Sequence, residues 1–190
     1  MEFLWRTALA IPGGGRHLER LFSFAGGASG AVLADDTKML GYAPYCKIWK
    51  WIIDALGKGR ELADVMERRK VDILCVQETR WKGSKTRSIG AGFKLFYYGV
   101  DSKRNGVGVV LKEEFVRNVL EVKRVSDRVM SLKLEIEGVM LNVVSGYAPQ
   151  VGCELEEKER FWSELDEVME SIPTGERVVI GADFNVGKIM

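Results

Sequence analysis

The sequence has one histidine, His17, among 190 residues, so any imidazole chemistry rests on a single side chain near its start. Its three cysteines, Cys46, Cys75 and Cys153, are odd in number and far apart. That spacing excludes a disulfide framework and a CxxC zinc pair, and it favours a reducing compartment. Net charge is almost absent: 28 Lys and Arg stand against 27 Asp and Glu. The chain as a whole is therefore no electrostatic nucleic-acid binder, and any basic patch must be local. No apolar run reaches the ~20 residues of a membrane helix. The nearest, Leu21 to Ala34, is short, rich in Gly and Ala, and lies behind Glu2 and Glu19, which argues against a secretion signal. Long internal repeats and low-complexity tracts are missing too.

What is present has two textures within a length that suits one medium domain. Over residues 1–46 glycines interrupt every apolar run, as in "PGGG" and "AGGASG", and an irregular leader is expected. From Lys47 the elements become regular. "GRELADVMERRK" places Leu62, Val65 and Met66 at helical spacing. "VDILCVQE", "FKLFYYGV" and "NGVGVVLK" read as strands, and "RVMSLKLEIEGVMLNVVSGYAP" as a hairpin turning at Glu137-Gly138. "ELEEKERFWSELDEVMESI" carries Trp162, Leu165, Val168 and Met169 on one face and reads as a helix before the last strand, "RVVIGADFN". This order predicts an α/β (α+β) layered sandwich with helices over sheets, spanning 47–185, and a short tail at 186–190.

Three polar signatures close strands: "QETRW", "SGYAPQ" and "GADFN". Strand ends in layered folds are where side chains from a rigid frame converge on ligands. Glu78, Tyr147, Asp183 and Asn185 together suit a hard, oxygen-seeking cation and a phosphate. Mg²⁺ takes only one or two protein carboxylates and keeps its waters. Each residue alone also reads as a cap or turn residue, since Asp, Asn and Glu after strands commonly close turns.

"DILCVQETRW", "NGVGVVL", "NVVSGYAP" and "VVIGADFN", in that order, resemble the endonuclease/exonuclease/phosphatase superfamily, the DNase I-like fold. The resemblance covers about two-thirds of the chain, from Gly57 to Asn185. It is closer still to the endonuclease domains of non-LTR (LINE-type) retrotransposons and to proteins derived from them. It implies a two-sheet sandwich with helices outside, and Mg²⁺-dependent (or Mn²⁺-dependent) phosphodiester hydrolysis on DNA. By motif, Glu78 would be the metal ligand, Tyr147 and Asn185 would hold the phosphate, and Asp183 would position the water. Two departures weaken the activity this implies. Where the family has Trp-Asn, this chain has Trp51-Ile52, and an isoleucine side chain cannot coordinate or hydrogen-bond. The family's second half, with its Asp-His pair, would lie beyond Met190, so an incomplete domain with a foreign tail is expected. His17 sits on the wrong side of the domain to replace that histidine.

For DNA contact the basic stretch from Arg80 to Arg104, with Trp81 interleaved, offers Arg80, Trp81, Lys82 and Arg104. Arg128 of "SDR" is a further candidate, although a surface role suits it as well. The acidic run from Glu154 to Glu170 is expected to face outward. The readings left open are a retroelement-type endonuclease that is inactive in this form, a non-catalytic remnant binding nucleic acid or protein, and a phosphatase of the same fold. An incomplete sandwich also suggests a protein partner over its exposed sheet, no membrane association, and, by resemblance, a nuclear location.

Overall fold

A computed structural model describes residues 59–185 in full, and before them the backbone of three strands only. The elements run β1 (Ala31–Leu33), β2 (Met39–Ala43), β3 (Cys46–Ile52), α1 (Gly59–Arg69), β4 (Ile73–Gln77), β5 (Gly83–Gly90), β6 (Phe93–Gly99) and β7 (Val107–Lys112). They continue with α2 (Glu113–Val116), β8 (Val119–Arg124), β9 (Val129–Ile136), β10 (Val139–Tyr147), α3 (Leu155–Glu170) and β11 (Arg177–Asp183). One sheet is ordered β1-β11-β10-β9-β8 and the other β2-β3-β4-β7-β6-β5.

Period-two alternation builds the sandwich. In β4, Ile73 and Cys75 face the other sheet with Val107, Val109 and Leu111 of β7. They meet Met130, Leu132 and Leu134 of β9 and Leu141 and Val143 of β10. The intervening Leu74 and Val76 turn outward onto α1, against Leu62, Ala63 and Met66. In the other sheet Val144, Val178 and Ile180 turn outward onto Phe161, Trp162, Leu165 and Val168 of α3. Each such fully buried side chain contributes roughly 1.5–3 kcal/mol.

The two long helices, α1 and α3, are crossovers. β3 and β4 are parallel and linked through α1, and β10 and β11 are parallel and linked through α3. Two βαβ units thus face each other, with the carboxyl ends of β4, β10 and β11 at one rim. The helices, the hairpin and its turn at Glu137-Gly138 stand where the sequence puts them.

Four strands differ from expectation, among them β8, which pairs antiparallel with β9. β5 reads "GSKTRSIG", in which only Ile89 is a large apolar residue, so it carries no alternation to detect. It exists because β6 pairs with it along its length. β1 and β2 fall inside the stretch expected to be irregular. β1 lies parallel to β11, covering an edge that would otherwise be open, and β2 pairs with β3. Pairing to a preformed sheet edge overrides the weak strand preference of a glycine-interrupted sequence.

Candidate active site

Gln77 ends β4 and continues its inward row. Its side-chain amide donates to Ser145 Oγ at 3.2 Å and to the Gly181 carbonyl at 2.8 Å, both in the opposite sheet. Ser145 Oγ in turn donates to the Val76 carbonyl at 3.3 Å. Gln77 and Ser145 are fully buried, so this bridge is shielded from water. Two buried polar atoms beside it have no hydrogen-bond partner: Gln77 Oε1 and Thr79 Oγ1.

Alternation would send Glu78 outward to the α1 face. Instead its φ of 54° is left-handed and breaks the alternation, so that two consecutive side chains reach the other sheet. The Tyr147 phenol donates to Glu78 Oε1, and Arg80 Nη2 lies 3.4 Å from Oε2. Arg80 is left-handed too, at 49°. Such conformations cost about 1–2 kcal/mol each for residues with a Cβ. A neighbouring loop holds them: Thr79 N–H donates to the Gly106 carbonyl at 3.1 Å and Arg80 N–H to Asn105 at 3.0 Å. Gly106 has to be glycine, because a Cβ there would lie 2.3 Å from Thr79 Oγ1. That loop rests on the next one through Gly106 N–H to the Asp127 carbonyl and Asn105 Nδ2 to Asp127 Oδ2, both 2.9 Å.

Tyr147 and Asp183 are register partners at the ends of the parallel pair β10 and β11. Ala148 N–H donates to the Asp183 carbonyl at 2.8 Å, and Asn185 N–H donates to Asp183 Oδ1 at 3.1 Å. The Asn185 amide donates to the Ala148 carbonyl. Burial first, and then the hydrogen-bonded Glu78 carboxylate, push the Tyr147 phenol up to about 12, with Asn185 opposing. The phenol therefore stays a donor throughout the physiological range.

The structure brings Glu78, Tyr147, Asp183 and Asn185 to one rim, each from the end of a strand. Trp81 is half-buried, its ring edge-on to Tyr97 at 5.3 Å, and Lys82 and Arg104 are exposed. Arg128 differs from the surface reading. It is buried, its guanidinium lies 5.4 Å from the Tyr147 ring centroid, and Nη1 donates to the Tyr147 carbonyl at 3.1 Å. Nη2 pairs with Glu157. The acidic face of α3 is accordingly not wholly outward, since Glu157 holds Arg128 and Glu164 accepts from Ser126 at 2.6 Å. Packing decides this: α3 crosses the outer face of its sheet beside the loop 126–128. Ile52 ends β3 in register with Gln77. His17 and the tail lie outside the described residues.

The residues missed in the sequence are Gln77, Ser145 and Asp127. Gln77 stood next to a recognised motif residue, and a polar residue closing an all-apolar strand was its signal. Ser145 likewise opens the quoted "SGYAPQ", while nothing local marks Asp127, whose partners Asn105 and Gly106 lie in another loop.

Among the described residues no group of three or more His, Cys, Asp or Glu gathers into a metal cage. Two carboxylates with a phenol and an amide do fit a hard cation that keeps its waters and shares a phosphate. Arg80 shows that a positive charge is accommodated beside Glu78.

Comparison with known proteins agrees with this fold. Craniofacial development protein 2 from Bos taurus is 27% identical over 144 residues, which are 74% of this chain and 24% of that protein. The chain therefore spans about a quarter of that relative. Among solved structures, the 3′ phosphatase NExo from Neisseria bound to product DNA hairpin is similar, with a TM-score of 0.58 and 20% identity. The match covers 74% of this chain and 58% of that one. The endonuclease domain of TRAS1, a telomere-specific non-LTR retrotransposon, gives a TM-score of 0.53 at 14% identity, over 75% of this chain and 59% of that one. At such identities these two likenesses show the fold. As the motifs suggested, the chain belongs to the Endonuclease/Exonuclease/phosphatase family, whose pattern residues 53–188 match.

Proposed function

We propose that this rim is a phosphodiester-hydrolysing site of the retroelement endonuclease type, acting on DNA with Mg²⁺. The observation that carries the proposal is the contact between the Tyr147 phenol and the Glu78 carboxylate, from opposite sheets and 69 residues apart, with Asp183 beside Tyr147 in register. Glu78 would hold the cation, which when bound would neutralise charge developing on the phosphate. Tyr147, protonated and fixed by Arg128, would turn its one O–H from Glu78 to a phosphate oxygen once the cation holds that carboxylate, and Asn185 presents its amide to the same group. Asp183 accepts a proton from the attacking water and orients it. Arg80, Trp81, Lys82 and Arg104 would contact flanking DNA, whereas Arg128 is better placed to hold Tyr147 than to meet nucleic acid. The nucleus is the proposed location, checked by imaging a tagged chain.

Residues 1–190 by themselves are proposed to nick DNA below detection. The resemblance calls for an Asp-His pair and an Asn where Ile52 stands, and groups of that kind together supply at least ~10³ in rate. The test is nicking of supercoiled plasmid with Mg²⁺. A fusion to the second half of a retroelement relative, carrying Ile52→Asn, should nick, and Asp183→Ala in that fusion should not. A folded fusion that stays inert overturns the nuclease reading. Robust nicking by the unmodified chain, abolished by Glu78→Ala, overturns the proposed inactivity.

A further inference from the structure

Among the described residues β5 is the edge strand of its sheet, paired only with β6. Ser84, Lys85, Thr86, Arg87 and Ser88 are all exposed. Edge strands with Lys on them commonly serve to prevent pairing with other chains. Here the composition goes further than that role requires. From Arg80 to Ser88 the sequence "RWKGSKTRS" holds four cations, three hydroxyl-bearing residues after the glycine and no acid. Lys85 and Arg87 have no acidic partner among the described residues.

Alternation sorts these side chains. Lys85 and Arg87 share the face of Ile89, the face that α1 covers at its other end. Ser84, Thr86 and Ser88 take the opposite face. Arg87 is held with its guanidinium 5.4 Å from the Trp81 ring centroid, and Trp81 is itself edge-on to Tyr97. A cation stacked on a fixed indole gives up less freedom on binding than a free one. At the far end of the strand Arg60 of α1 lies beside Gly90, within 3.3 Å of where a Cβ would stand there, and prolongs the row of cations. The strand starts five residues after Glu78, so the row leads away from the proposed site.

The geometry points to β5 as a phosphate-tracking edge: Lys85 and Arg87, prolonged by Arg60, hold the sugar-phosphate backbone of a nucleic acid outside the reacting phosphodiester. Charge complementarity names the occupant, because a row of cations with no acidic partner among the described residues matches a row of phosphates and repels a basic partner. The inference rests on the DNA reading above and adds to it a sequence-independent grip on the flanking duplex.

The test is fluorescence anisotropy of the full chain with a labelled 20-base-pair duplex in EDTA, from about 50 to 200 mM salt, so that no cleavage intervenes. The Lys85→Ser/Arg87→Ser double variant should bind at least about tenfold more weakly at the lowest salt. Its log–log salt slope should be shallower by about 1.8. Arg87→Lys, which keeps the charge, should keep the slope, and circular dichroism should show both variants folded. A folded double variant with the slope of the unmodified chain overturns the β5 assignment and leaves the catalytic reading standing. No binding of the duplex by the unmodified chain overturns it too. The converse, a β5-dependent slope with a fusion that never nicks, defeats the catalytic reading and keeps the phosphate-tracking edge.

Discussion

The two ends of the sandwich differ in how their buried polar side chains are partnered. At the rim holding Glu78 and Tyr147, four residues with a Cβ adopt left-handed backbone: Glu78, Arg80, Asn105 and Asn185. Two buried polar atoms lack partners there as well. At the other end, Glu176 accepts from both Lys133 and Asn142, and the turn at Glu137-Gly138 is an ordinary hairpin connection. Left-handed residues stand at that end too, at Lys70, Ala91 and Glu137, so backbone strain is shared, but among the described residues the buried side-chain atoms without partners lie only at the rim. Folds keep such costs where a ligand makes use of them, and the rest of the structure must hold them in place.

Matched substitutions at the two ends should break or sharpen that contrast. The largest effect is expected from Gly106→Ala, where a positive φ of 94° combines with a clash against Thr79. Urea unfolding should show a loss of about 3 kcal/mol. Gly138→Ala at the other end has φ of 78° and open space around it, and should lose only about 1 kcal/mol. Equal losses would mean that the loop over Thr79 is not tightly held. Next comes Gln77→Leu, which strands the Gly181 carbonyl and leaves Ser145 one partner short. It should lose about 2 kcal/mol. Because Gln77 joins the sheets directly beneath Glu78, amide exchange should quicken at the rim more than at the Glu137-Gly138 turn.

The smallest effect concerns pH. Asn142 and then Lys133 hold the Glu176 carboxyl below its ordinary 4.5. A depressed carboxyl contributes stability above its unfolded value, and that contribution is lost as pH falls through the folded value. Thermal melts from about pH 6 to 3 should therefore show a smaller acid-induced fall in Glu176→Gln than in the unmodified chain. An identical fall in both would place the acid sensitivity elsewhere.

Local pattern carried much of the architecture. Leu62 and Met66 at helical spacing, and Ile73 and Cys75 alternating with Leu74 and Val76, each specify an element and a face wherever the chain is placed. Three short motifs closing strands then pointed to Glu78, Tyr147, Asp183 and Asn185, because chemistry-bearing residues after apolar runs stand out against their neighbours. β5 was illegible because an exposed edge strand needs no apolar face. β1 was illegible because its order comes from β11, which lies far along the chain.

Periodicity thus determined the two long helices and the central strands, and short motifs marked the candidate residues, since those signals are local. Only the tertiary structure decided that Gln77 bridges to Ser145 and Gly181, and that Arg128 lies buried under Tyr147 and against Glu157. It also decided that a left-handed turn at Glu78 carries its carboxylate across to the opposite sheet. These facts depend on which residues meet when two βαβ units are stacked face to face. That choice is made by burial of both inner faces at once, and no short stretch of sequence contains it.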